Sequence, residues 1–231
     1  MAVARHALLV LMAVTAPSAL ADNNQVVVTA IAASDWLYHG TTESDGAPVL
    51  GLNAEWHASR GFFVGVQGHE ARKRGYRQRE RAAMAYAGYT LPERGGWAAT
   101  MSLARREFLA SVKDWDFTEW SVDLAHRDGF GLRADFSSDY YAHNTRSLAL
   151  EARYLRDLGN RWYGKVSAGR VELSNPVWLD HHYFQLTLGR AVGAANIELV
   201  GHWNNQGSDR DFGREDYSDP SIAVQIGLRL W

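Results

Sequence analysis

Ser221-Ile-Ala-Val-Gln-Ile-Gly-Leu-Arg-Leu-Trp231 ends the chain, and its alternation decides the fold class. Ile222, Val224, Ile226, Leu228 and Leu230 take every second position, with Ser221, Ala223, Gln225, Gly227 and Arg229 between them. Period two sends these sets to opposite faces of a strand. One greasy face and one small or polar face suit a barrel whose outside meets lipid and whose inside meets a lumen. An aromatic last residue also resembles the assembly signal of such barrels, although Trp231 falls in the opposite phase. A strand of a soluble β-sandwich alternates in the same way, so the remaining chain has to decide.

The first residues read as a cleaved signal peptide over 1–21. Arg5 and His6 precede the apolar run Ala7–Ala16, Pro17 breaks it, and Ala19-Leu-Ala21 supplies a small-x-small cleavage site. The run is too short to span a bilayer. Residues 22–231, about 210 in all, suit one domain. With no cysteine the exported chain has neither disulfides nor thiol ligands. A net charge of -2 gives no electrostatic case for nucleic acid. With 21 Gly, 9 Trp and 10 Tyr against 5 Pro, the composition suits a membrane barrel with interfacial rings.

Alternating stretches recur along the chain and predict about twelve strands, the first over Gln25–Tyr38. In the second, Leu50, Leu52, Ala54 and Trp56 oppose Gly51, Asn53 and Glu55. The fourth, Arg79–Tyr89, is expected to turn Ala82, Met84 and Tyr86 outward. Short links such as His57–Gly61 and Val192–Ala195 alternate with longer ones such as His39–Pro48, Arg105–Asp114 and Asn204–Pro220. That is the asymmetry of periplasmic turns and extracellular loops, and aromatics flank the short turns. The expectation is an all-β, antiparallel, transmembrane up-and-down β-barrel in the bacterial outer membrane.

Ser34-Asp-Trp-Leu-Tyr-His-Gly-Thr-Thr-Glu-Ser-Asp-Gly-Ala-Pro48, with Gly51–Trp56, Gly61–Gly65 and Asp116-Phe-Thr-Glu-Trp120, resembles the uncharacterised exported family Gcw_chp of proteobacteria. The recognisable motifs cover the first third of the chain and the Asp116–Trp120 echo. His39 stands where that family's arginine is expected. The resemblance implies an outer-membrane location and no particular reaction.

Strand phase assigns Glu55, Glu119, Asp123, Arg133, Asp135, Glu151, Arg153, Lys165, Glu198, His202 and Arg229 to the lumen. Arg133 and Asp135 are expected to pair across to Glu151 and Arg153. Such a set is either a charged filter or a self-neutralising network, since twelve strands lie between a filled barrel and an open channel. Glu70–Arg81 is the densest charge run. Its Arg72, Lys73, Arg74, Arg77, Arg79 and Arg81 could grip lipopolysaccharide phosphates or steer anions, or form a solvated loop. Asp209–Asp219 concentrates carboxylates without a calcium-loop spacing, and no metal or cofactor is expected. Ser137, Ser138, Asp139 and His143 could in principle form a hydrolytic set, but no motif supports an enzyme. The function expected is a passive, porin-like channel for small solutes. A surface-interaction barrel acting through its loops comes second and a barrel hydrolase third. Lipid, lipopolysaccharide and the outer-membrane assembly machinery are the expected partners.

Overall fold

A computed structural model describes residues 24–44, 46–71, 80–109, 115–175, 180–205 and 220–230. The expected signal peptide, the arginines and lysine between 72 and 79, the acidic loop 209–219 and Trp231 lie outside them.

Twelve strands form one closed antiparallel barrel. In chain order they are β1 (Gln25–Ala33), β4 (Val49–His57), β5 (Phe62–Ala71), β6 (Glu80–Thr90), β7 (Trp97–Phe108), β8 (Phe117–His126), β9 (Phe130–Ser137), β10 (Ser147–Gly159), β11 (Trp162–Leu173), β12 (His181–Val192), β13 (Ala195–Asn204) and β14 (Ser221–Arg229). Each pairs with its neighbours in sequence, and β1 closes on β14 in the register Thr29↔Arg229 to Ala33↔Gln225. Two two-residue strands, β2 (Leu37–Tyr38) and β3 (Thr41–Thr42), make a separate hairpin.

The alternation read from the terminal segment holds in the structure. Leu50, Val66, Trp120, Leu132, Leu186 and Ile222 all point outward and are more than half exposed. An apolar surface this continuous cannot rest in water and is a lipid-facing wall. Closure leaves no unpaired strand edge, as hydrocarbon requires. Phe62, Tyr89, Trp97, Phe130 and Trp162 stand outward and exposed at the short-turn end, in the expected aromatic girdle.

Three expectations need correction. β1 ends at Ala33 rather than Tyr38, because the Asp35 carboxylate accepts the Trp36 N–H at 2.8 Å and turns the chain away from the ladder. β7 continues to Phe108, so Arg105 and Arg106 belong to the wall and not to a loop. In β6 the phase is reversed. Ala82 is buried inside, and Tyr86 points inward to donate a hydrogen bond to Asn53 at 2.9 Å. Both faces of β6 are apolar or small, so its pattern carried no direction, and the Tyr86 hydroxyl decided it by finding a polar partner.

Candidate functional site

Residues 34–44 and 46–48, expected as the end of the first strand and an outward-reaching loop, form neither. They fold into the barrel at its long-loop end. Trp36, Leu37 and Tyr38 are buried there, Trp36 completely. Three apolar side chains in sequence would be stranded in a solvated loop, and the lumen wall gives them a core. Trp36 stacks on His69 of β5 at 4.2 Å between ring centroids. Leu37 packs with Val200 of β13 and Ala223 of β14. Tyr38 joins Ala82, Phe108, Phe117 and Tyr140. The segment thus touches walls on opposite sides of the barrel and narrows the lumen at that level.

Polar contacts fix its height. Asp35 gathers the hydroxyls of Ser44 and Thr42, the latter at 2.5 Å. Glu43 takes both carboxylate oxygens to Arg106 at 2.7 and 2.8 Å and also accepts the Tyr141 hydroxyl. The Arg106 guanidinium lies 3.9 Å over the Tyr38 ring, a cation–π contact that keeps this buried charge partnered on two sides. Across the hairpin turn, Asn204 donates to the Gly40 carbonyl at 2.8 Å, and His181 bonds the His39 carbonyl at 2.8 Å. Gly40 has φ +77° and lies against Tyr183, so a side chain there would meet both backbone strain and the Tyr183 ring.

At the tip, His39 Nε2 is 3.0 Å from Glu119 and Nδ1 is 3.8 Å from Asp135. The Tyr38 hydroxyl donates to the same Glu119, and Arg133 holds Asp135 at 2.7 Å. Burial alone would lower the His39 pKa, but the Glu119 charge and hydrogen bond outweigh it and raise it. Burial pushes the Asp35 carboxyl up to about 6 against the hydrogen bonds it accepts. The ligand atoms of His39, Glu119 and Asp135 all fall within 4.8 Å, a grouping a divalent ion could use. Here Arg133 and Tyr38 already meet those carboxylates, so the arrangement is that of an ion-pair network.

Of the residues that strand phase assigns to the lumen, Glu119, Asp135, Glu198 and His202 are buried and Asp123, Arg133, Glu151, Arg153 and Lys165 are half-buried on the inner side of their strands. Arg133 and Asp135 pair with each other along β9, while Arg153 crosses to Asp123 at 2.6 Å. The expected cross-strand pairing with Glu151 and Arg153 is therefore corrected. Gly131, between Arg153 and the strand beyond, leaves room for the arginine to lie across β9. Glu151 instead accepts the Tyr183 hydroxyl at 3.0 Å and Glu198 that of Tyr163 at 2.6 Å. Glu55 sits beside His57 at the short-turn end, and Lys165 lies between the charges of Glu151 and Glu198. His202 is buried near Asn204, and Arg229 faces the short-turn mouth. In the basic run, Arg81 is described and pairs with Glu70 at 2.8 Å on the outer face. Of the hydrolytic candidates, Asp139 accepts the Asn144 N–H at 2.7 Å and Ser137 accepts that of Asp139, which holds the turn Tyr140–Ala142. Sequence reasoning missed Asp35, Trp36, Tyr38, His39, Glu43 and Arg106 as lumen groups. The one available signal was the apolar Trp36-Leu-Tyr38 run, which breaks the alternation at the end of the strand expected over Gln25–Tyr38.

No protein-family model matches the chain and no curated protein does, so the Gcw_chp resemblance rests on the quoted residues. Solved structures do match in fold. A KdgM porin aligns over 89% of this chain and 98% of its own, at 7% identity and TM-score 0.57. The same porin in complex with disordered oligogalacturonate aligns over the same shares, at 6% identity and TM-score 0.57. A NanC porin structure in a rhombohedral crystal form aligns over 89% of this chain and 100% of its own, at 11% identity and TM-score 0.61. The fold of this chain is that of an outer-membrane porin.

Proposed function

We propose that this protein is a porin-like channel for small solutes in the outer membrane of a Gram-negative bacterium, narrowed at its long-loop end by residues 34–48. One observation carries the reading: a closed barrel has lipid-facing apolar side chains outside and a charged, hydrogen-bonding wall inside. A polar interior of this kind is what a water-filled passage requires. The similarity to KdgM and NanC porins supports the same class. Oligogalacturonate is the ligand of the KdgM porin complex and is not carried over to this chain, whose inner wall holds arginines and carboxylates in ion pairs.

The partners of this reading are lipid against the apolar belt, the assembly machinery that inserts such barrels, and lipopolysaccharide phosphates for the basic run Glu70–Arg81, in which Arg81 is paired with Glu70. The role is non-enzymatic. Planar-bilayer recording of the refolded protein, with folding checked by heat-dependent gel mobility, tests it. Stepwise conductance that grows when residues 36–46 are replaced by a short flexible link is the expected result. Silence of both proteins overturns the channel reading and turns attention to the loops.

A further inference from the structure

Below the infolded segment, the inner wall keeps carboxylates that no arginine pairs with among the described residues. Asp123 is held by Arg153 and Asp135 by Arg133. Glu151 and Glu198 receive tyrosine hydroxyls instead, from Tyr183 and Tyr163. A phenol donates a hydrogen bond but brings no positive charge, so these two carboxylates are fixed in direction without an ion-pair partner of the kind Asp123 and Asp135 have.

Glu198 is the more exacting of the two. It is 1% exposed, and with Oε1 taken by Tyr163 its Oε2 has no partner. Gln225 stands beside it in the β13–β14 register, and its Oε1 has no partner either. Thr187, on β12, adds an unpartnered Oγ1. Three oxygens facing the same wall of one lumen, with no N–H supplied to them, offer lone pairs to an incoming donor. A positive group meets that need best, because charge-assisted hydrogen bonds are the strong ones. Lys165 on β11 offsets one charge, which leaves Glu151 and Glu198 together in excess of it.

We propose that this lumen selects cations, with Glu198 as its specificity-determining residue and a monovalent cation or ammonium group as what it recognises. The proposal rests on the channel reading above. Its test is the zero-current potential of the whole protein in a planar bilayer across a potassium chloride gradient. Wild type is expected to favour potassium over chloride. Glu198→Gln, which keeps the shape and still accepts from Tyr163, is expected to lower the permeability ratio about twofold or more, with conductance persisting. Lys165→Gln is expected to raise it. A conducting wild type that favours chloride, or a Glu198→Gln protein with an unchanged ratio, overturns the selectivity and leaves the channel standing. If wild type is silent, the same potentials are read on the form with residues 36–46 replaced. Silence of both overturns the channel and this inference together.

Discussion

Tyr183 lies across Gly169 and donates its hydroxyl to Glu151 at 3.0 Å, so that a side chain on β12 ends on a carboxylate of β10. The three residues stand in one cross-strand row, Tyr183↔Gly169 and Gly169↔Glu151. Tyr163, Gly189 and Glu198 repeat the arrangement over β11, β12 and β13, and Tyr86, Gly65 and Glu55 over β6, β5 and β4. In each row the middle strand gives up its side chain so that the ring can lie flat on the wall. In the first two rows the carboxylate is then held from two strands away, while Tyr86 gives its hydroxyl hydrogen to Asn53.

Gly169→Ala is expected to break its row, since the added methyl would occupy the space of the Tyr183 ring. Overpacking of this kind costs about 1–3 kcal/mol. The urea midpoint of the barrel in detergent should fall accordingly. Gly68→Ala, where only Ala82 O lies near the added carbon, should leave it in place.

Glu43→Gln removes the charge that Arg106 meets inside the barrel. Losing one partner of a buried pair costs about 3–5 kcal/mol. The cost falls on the seat of residues 34–48 rather than on the ladders. The variant should fold, conduct more than wild type and be cut faster within the segment by added protease.

Gly40→Ala acts on the same segment from the other side. With φ +77° and the Tyr183 ring against it, the hairpin turn cannot keep its place with a side chain at this position. Raised conductance with an unchanged unfolding midpoint is the expected pair of results. Unchanged conductance would show that the turn does not limit flow.

Alkali should loosen the segment. His39 has a raised pKa in the folded protein, so its contribution is complete below the ordinary histidine value of 6.5 and is lost as pH rises through the raised one. Asp35, raised from 3.8 to about 6, works in the same direction, and its contribution is lost between those two values. Protease cutting within 34–48 should therefore speed up from pH 5 to pH 9, and the upper part of that change should vanish in His39→Gln. A rate that falls with rising pH would contradict the assignment.

Leu186→Arg tests the outer wall. Leu186 is 58% exposed midway along β12, and an arginine at bilayer mid-depth costs about 2–4 kcal/mol. Refolding into vesicles should drop sharply, while Thr187→Ser, one residue along and facing inward, should refold as wild type does.

The terminal stretch Ser221–Trp231 and the recurrent alternation determined the barrel, its strand number and, β6 apart, which residues face lipid. Period two is a local property, and an apolar face repeated on every strand leaves a single consistent burial. It determined equally that Glu119, Asp123, Arg133, Glu151, Lys165 and Glu198 face the lumen. What those groups do there was decided by tertiary structure. Arg153 meets Asp123 rather than a neighbour because Gly131 leaves room for it to cross β9. Tyr86 turns inward because Asn53, more than thirty residues away in sequence, accepts its hydroxyl. The entry of residues 34–48 depends on Arg106, Glu119, His181 and Asn204, each on a different strand. Alternation says which way a side chain points; only barrel closure brings strands distant in sequence close enough to say what it meets.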